Sequence, residues 1–310
     1  MNPINSEPQP SNQQCSAYIK MPGYEYCPSL VEAVQHNDIR GVNQLLRMRA
    51  SPNVRDQVTK RTVLMIAAEK GHIEVVRKLI EHRAFIDLTD REENMAIHWA
   101  AYGGSLQCLQ FLIDKGSLLD VLNANKYTPL MLAILKGHRH ITAFLLERDP
   151  FLIRGLNEHE ESEFLLAITR NDLETARLIY QTDVPGIDKV KELQVALQQA
   201  ALKKDTAILT FLISMGANVN NSTEEEDPVI FSAVFAKDAE LVKFFIQNGA
   251  NVNSKDRNGK TPLVLAITLG LEDIVDVLVS HGAEVSADAL NLAHREGPSN
   301  ILNALKRPRE

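Results

Sequence analysis

The tripeptide Gly259-Lys260-Thr261 has the residue types that end a phosphate-binding loop. In such a loop the lysine contacts phosphate oxygens, and a glycine five residues earlier lets backbone N–H groups point at the same phosphates. The position five residues before Lys260 is Lys255, and the preceding stretch "NVNSKDRN" is polar, whereas the motif requires an apolar strand there. The spacing therefore argues against a nucleotide site, and Gly-Lys-Thr needs another explanation.

Histidines, carboxylates and cysteines offer three further candidates for chemistry. His138 and His140 form an H-x-H pair, but side chains two residues apart on a helix point to different faces, which disfavours a shared zinc ion. The stretch "EHEESE" at 158–163 sets a histidine among carboxylates, and we interpret it as a solvated acidic loop in preference to a divalent-cation site. The three cysteines lack metal-ligand spacing, and Cys108 lies on an apolar helical stripe typical of a core. We predict no catalytic, cofactor-binding or metal-binding residues.

Composition restricts the class of protein further. The 310 residues are 45% apolar but only 5% aromatic, which favours a core of aliphatic side chains and alanine. No apolar run reaches 18 residues, and the N-terminus lacks the basic and apolar regions of a secretory signal. A net charge of −7 disfavours nucleic acid as a partner, although residues 40–83 carry ten Lys or Arg against four acids. We expect a cytoplasmic monomer with no membrane segment.

A repeated block explains the apparent phosphate loop. "TPLVLAITLG" at 261–270 is matched by "TPLMLAILKG" at 128–137, "TVLMIAAEKG" at 62–71 and "MAIHWAAYGG" at 95–104. Degenerate copies end at Asn171, Lys204 and Lys237, so successive ends from 71 to 270 are 33 or 34 residues apart. Each block precedes a second apolar pattern of helical period, and glycine often follows, as suits a left-handed helix end.

The period, the Thr-Pro-Leu-x-x-Ala block and the Gly-Ala-x-Val-Asn turn, which reads "GANVN" at 216 and at 249, resemble the ankyrin repeat. The resemblance implies an all-α solenoid of stacked antiparallel helix pairs with β-hairpin fingers along one edge. The block threonine is expected to cap the first helix of each pair, and proline suits its first position. Gly259 then belongs to a finger turn, and Lys260 to the exposed finger.

The repeat pattern also divides the chain. We expect a polar, disordered segment at 1–28, an ankyrin domain at 29–306 and a tail at 307–310. The predicted units within the domain are a capping repeat at 29–55, repeats near 56–88, 90–121, 123–156, 157–189, 190–222, 223–255 and 256–287, and a truncated cap at 288–306. The turns within 147–195 lack Gly-Ala, and repeats five and six lack Thr-Pro, so a hinge or weak junction is one hypothesis for this stretch.

In the ankyrin family, finger tips and exposed first-helix ends on the concave face usually hold the partner. The matching positions here predict one apolar row and a set of charged finger residues. The apolar and aromatic candidates are Tyr102, Tyr127, Leu135, Leu202, Phe235 and Leu269. The charged candidates are Glu160, Glu161, Glu224, Glu225, Glu226 and Lys260. The acidic fingers suggest a protein partner with a basic segment facing repeats five to seven.

The predicted function is non-catalytic protein binding by a scaffold or adaptor. A bacterial effector acting in a host cell and a eukaryotic cytosolic adaptor fit the sequence equally well, and a nuclear location stays open. A regulator or substrate adaptor of an enzyme complex would use the same surface. An enzyme with an unrecognised site is the alternative from another class, and turnover by the pure chain would reveal it.

Overall fold

The computed structural model of the chain describes residues 29–153, 155–222, 227–295 and 299–306. These residues form eighteen α-helices and a short 3-10 helix, Pro150–Leu152, and they contain no β-strand. The disorder predicted for 1–28 and the tail predicted at 307–310 lie outside the described residues. In the part of the chain that the structure describes, no helix is long and apolar enough to cross a membrane.

The helices alternate between a first and a second member of each pair. The first helices are α1 Leu30–Gln35, α3 Val63–Glu69, α5 Ala96–Tyr102, α7 Pro129–Leu135, α9 Glu163–Thr169, α11 Lys189–Lys203, α13 Val229–Phe235, α15 Pro262–Thr268 and α17 Ala287–Arg295. The second helices are α2 Ile39–Arg47, α4 Ile73–Glu81, α6 Leu106–Asp114, α8 Arg139–Arg148, α10 Leu173–Gln181, α12 Thr206–Ser214, α14 Ala239–Gln247, α16 Glu272–Ser280 and α18 Ser299–Lys306.

The chain divides into two compact units. The first contains the described residues up to Leu166 together with Gln181–Val184, and the second contains Ala167–Tyr180 and the residues from Pro185 onward. The division falls within 147–195, where the repeat pattern is weakest. The hinge suggested for that stretch stays a prediction, and hydrogen exchange would test it, because uniform protection of all repeats would contradict it.

Local sequence signals fix where the helices begin and end. The hydroxyls of Thr62, Thr128 and Thr261 accept hydrogen bonds from the backbone N–H three residues later, as predicted for the block threonine. Pro129 and Pro262 occupy the first helical position, where no N–H is needed. These contacts confirm that the Lys-Thr sequence at 260–261 marks the start of a helix.

Small residues allow the first helices to pack closely. Helices α3, α5 and α7 contact one another in sequence in the first unit, as do α11, α13, α15 and α17 in the second. The alanine pairs Ala67–Ala68 and Ala100–Ala101 are fully buried. At Gly103 an added Cβ would overlap the backbone carbonyl of Glu69 in the preceding repeat. Such contacts between neighbours are what stabilises a repeat array.

The fingers differ from the β-hairpins that the resemblance implied. The fingers that the structure describes in full are tight turns closed by backbone hydrogen bonds, for example from Asp90 N to Asn94 O at 3.0 Å and from Asp256 N to Lys260 O at 2.9 Å. An isolated bridge between Arg55 and Thr62 is the one β-type pair recorded among the described residues. Hairpin strands are absent there because only one or two ladder bonds close each turn, which is too few for a strand.

The sixth pair departs most from the repeat. Helix α11 spans 15 residues, so helix occupies positions where other pairs place a finger. Two glutamines on this longer helix hold the following loop: Gln198 Nε2 donates to Asp227 O at 2.7 Å, and Gln194 Nε2 donates to Asn221 O at 3.4 Å. Ser232 Oγ of α13 donates to Gln198 Oε1 at 2.7 Å. The extension therefore joins two consecutive repeats.

Asparagine side chains tie consecutive turns together in the second unit, and this leads to a prediction. Asn220 Nδ2 donates to Gly249 O at 2.8 Å, and Asn220 Oδ1 accepts from Asn251 N at 2.7 Å. We expect Asn220→Ala to lower the free energy of unfolding by about 1–2 kcal/mol, since each lost hydrogen bond is worth about 1 kcal/mol. Urea unfolding followed by circular dichroism measures this, with the exposed Asn291→Ala as control. Equal midpoints for the two variants would contradict the prediction.

Candidate functional site

The ends of the first helices present the predicted apolar row, and a left-handed residue follows each of them. Gly104 and Gly137 have positive φ angles in the first unit, as have Lys204 and Lys237 in the second. We define the helix-end row as the residues two positions before these four. Its members are Tyr102 and Leu135 in the first unit and Leu202 and Phe235 in the second.

Exposure along the row differs between the units. Leu202 is 65% exposed and Phe235 57%, whereas Tyr102 and Leu135 are half-buried. Leu269, predicted to lie in the same row, is 38% exposed and immediately precedes the left-handed Gly270, so it aligns with Ala236 and not with Phe235. One residue turns a helix by about 100°, so Leu269 lies beside the row and Thr268 takes its place.

In the first unit, Tyr102 is part of a stack of aromatic and charged groups that sequence reasoning missed. The Arg61 guanidinium lies 3.3 Å from the centre of the Trp99 ring, and the edge of Tyr102 meets Trp99 at 5.2 Å between ring centres. Lys136 Nζ lies 4.2 Å from the centre of the Tyr102 ring. Arg61 also pairs with Glu69 at 2.7 Å. Cation–π contacts of this kind hold side chains in place at the surface.

In the second unit, lysines border the row and the nearby acids are already engaged. Lys203 and Lys237 are exposed, while Lys204 Nζ pairs with Asp238 Oδ2 at 3.1 Å. Asp238 Oδ1 accepts the N–H of Leu241 at 3.0 Å, and this hydrogen bond, ahead of Lys204, lowers the pKa of its carboxyl. Asp238 therefore uses both carboxyl oxygens within the protein: Oδ1 caps α14 and Oδ2 pairs with Lys204.

The finger residues of the first unit are less available than predicted. Tyr127 is buried, and its hydroxyl accepts a hydrogen bond from Asn157 Nδ2 at 3.2 Å, so the expectation of an exposed finger ring is wrong. Glu161 is half-buried and accepts from Asn157 Nδ2 at 2.9 Å, whereas Glu160 is exposed. Glu163 is buried. The sequence of a finger does not show which of its side chains points toward the protein interior.

The remaining charged candidates lie on later fingers. Glu224, Glu225 and Glu226 lie outside the described residues. Lys260 is exposed, and its backbone N–H donates to Asp256 Oδ1 at 2.7 Å while Gly259 adopts a φ of 74°. Lys260 is thus exposed on its finger, and its contact with a partner stays a prediction.

The histidines have structural contacts. His138 Nε2 lies 2.9 Å from Tyr102 O, and His140 Nε2 lies 3.1 Å from Gly104 O, so both approach one turn of the preceding repeat, contrary to the expectation of different faces. Among the described residues, no group of three or more His, Cys, Asp or Glu is arranged to hold a metal ion. Cys108 is buried, which raises the pKa of its thiol.

These features define a class of protein: an all-α repeat stack of helix pairs joined by finger turns. Models of ankyrin repeats match residues 30–123, 125–154 and 197–305. The chain therefore belongs to the ankyrin-repeat family. Ankyrin repeats are typically non-catalytic modules for protein–protein interaction.

Three relatives illustrate the similarity. A 90-residue segment is 38% identical to the ankyrin repeat and KH domain-containing protein mask-1 of Caenorhabditis elegans, and 103 residues are 36% identical to ankyrin repeat domain-containing protein 63 of Mus musculus. A longer segment of 198 residues is 25% identical to a transient receptor potential cation channel subfamily A member 1 homolog of C. elegans. These segments cover 29%, 32% and 64% of the chain but 3%, 26% and 16% of the relatives.

Proposed function

We propose that the chain binds a partner protein, without catalysis, through its helix-end row and finger turns. The observation that supports this proposal most directly is that Leu202 and Phe235 are exposed on two helices in contact, α11 and α13. The other large apolar residues of α13, among them Ile230 and Phe231, are buried. An apolar pair left in water at the end of packed helices is a surface that a partner would cover.

Each unit also exposes charged finger residues of its own. Glu158 and Glu160 are exposed on the finger of repeat five, and Lys260 is exposed on that of repeat eight. The two glutamates support a basic segment of the partner near repeat five, whereas Glu161 and Glu163 are turned toward the protein and add little. The compartment, the effector hypothesis and the monomeric state stay predictions.

Substitution of the row tests the proposal. We expect Leu202→Ala with Phe235→Ala to weaken binding of a partner captured on the full chain at least tenfold, since central aromatic anchors carry most of the energy of an interface. Isothermal titration calorimetry measures the affinity. Phe85→Ala is the matched control, because Phe85 is 60% exposed in the turn after α4, away from the row. Unchanged affinity in the double variant would contradict the proposal.

A further inference from the structure

The charges beside Leu202 and Phe235 indicate what kind of partner the row fits. Each apolar side chain is followed within two residues by exposed lysine: Lys203 and Lys204 after Leu202, and Lys237 after Phe235. Lys204 is paired with Asp238, which leaves Lys203 and Lys237 as exposed cations beside the row. The C-terminal ends of α11 and α13 therefore carry both exposed apolar and exposed basic side chains.

The carboxylates closest to these lysines in sequence are already used. Asp205 Oδ1 accepts the N–H groups of Ala207 and Ile208, both at 3.1 Å, and Asp238 caps α14 and pairs with Lys204. No other Asp or Glu occurs between 193 and 223. Near Lys237, Glu240 is exposed, and among the described residues no ion pair joins the two. An external carboxylate can thus pair with Lys203 and Lys237.

Lys204 and Lys237 occupy a left-handed slot that four other repeats fill with glycine and repeat five fills with Asn171. Gly71, Gly104, Gly137 and Gly270 take the left-handed conformation that Lys204 and Lys237 adopt, with φ angles of 57° and 53°. Glycine adopts this conformation without the Cβ conflict that other residues meet. Lysine takes this slot in the two repeats whose row residue is apolar and more than half exposed. In repeat seven this lysine is the exposed Lys237, and in repeat six Lys204 pairs with Asp238 while the exposed Lys203 precedes it, so each exposed apolar residue has one such cation beside it.

We propose that the end of α11 and α13 binds an acidic, apolar segment of a partner protein. In the complex, apolar side chains cover Leu202 and Phe235, and carboxylates pair with Lys203 and Lys237. Side chains of an extended chain alternate between its two faces, so residues two apart point to the same side and lie about 7 Å from each other. A segment with two apolar residues on one face and Asp or Glu beside them, reaching across the distance of about 8–10 Å between packed helices, fits this surface. The inference rests on the proposed function and adds the chemistry of the partner.

A random 12-residue peptide library displayed against the full chain tests the inference. We expect the enriched peptides to carry net negative charge and at least two apolar residues. A synthetic copy should bind roughly tenfold more weakly when its acids are replaced by lysine, and its affinity should fall as salt is raised. Enriched peptides that are neutral or basic, or a library that yields none, would overturn the inference.

Variants of the protein separate this inference from the proposed function. Lys203→Glu with Lys237→Glu should weaken the acidic peptide roughly tenfold. Lys191→Glu, which reverses an exposed cation near the opposite end of α11, should leave its affinity unchanged. If Leu202→Ala with Phe235→Ala abolishes binding while the lysine reversals do not change it, the charge inference fails and the proposed surface stands. If neither pair of substitutions matters, both fail. Circular dichroism checks that each variant is folded.

Discussion

Replacing Trp99 with alanine is expected to lower the free energy of unfolding of the first unit by about 3–5 kcal/mol, as for other buried large-to-small substitutions. Trp99 is 7% exposed, and three groups depend on it. Arg61 lies over its ring, Tyr102 packs against it, and its Nε1–H donates to Asp90 Oδ2 at 2.9 Å. Alanine removes the packing, the cation–π contact and the hydrogen bond together. Urea unfolding followed by far-ultraviolet circular dichroism measures the change.

Trp99→Phe is the matched control for this prediction. Phenylalanine keeps a ring under Arg61 but cannot donate to Asp90, so we expect a smaller loss of about 1–2 kcal/mol. If alanine and phenylalanine had equal effects, the contacts of the ring would contribute nothing beyond the hydrogen bond. That result would contradict the importance assigned to the stack of Arg61, Trp99 and Tyr102.

The second large expected effect is a loss of stability in mild acid that depends on His98. This residue is fully buried on α5, and burial lowers its pKa from 6.5 to about 4. Met95 N donates to His98 Nδ1 at 3.1 Å, so the proton of the neutral ring is on Nε2, which donates to Val121 O at 3.2 Å. The folded protein therefore holds His98 uncharged, in one tautomer.

The sign of the effect follows from which state binds the proton more readily. Because the pKa is lower in the folded state, the contribution of His98 to stability is complete above pH 6.5 and decreases as the pH falls toward about 4. The full loss is roughly 3 kcal/mol. His98→Gln, which can accept from Met95 N and donate to Val121 O but does not titrate, is the control. We expect the stability of the natural protein to fall relative to that of the variant between pH 6.5 and 4, whereas parallel curves would contradict the prediction.

Much of the fold could be predicted because the same local interactions recur in each repeat. A threonine that caps one helix, as at Thr128, does so at Thr62 and Thr261, and the left-handed residue recurs at the end of each block. The period also identified the ends of the first helices. In the second unit this placed Leu202 and Phe235 at the surface, as the structure has them.

The rest depends on contacts between repeats, which a period does not specify. Tyr127 turns inward because Asn157 of the next finger offers its hydroxyl a partner, and Arg61 covers Trp99 from the preceding finger. Helix α11 continues through the position of a finger because "DKVKELQVA" at 188–196 contains neither glycine nor proline to stop it. Leu269 lies beside the row because its block places threonine one residue earlier.

Because Trp99 is buried, it also serves as an intrinsic fluorescence probe of the fold. The chain has a single tryptophan, so all indole emission arises from the third repeat. A buried indole under a guanidinium emits differently from a hydrated one, and each repeat contacts only its neighbours. Fluorescence therefore follows the melting of one repeat, while circular dichroism follows all helices. A separation of the two transitions would show directly that the array unfolds in parts.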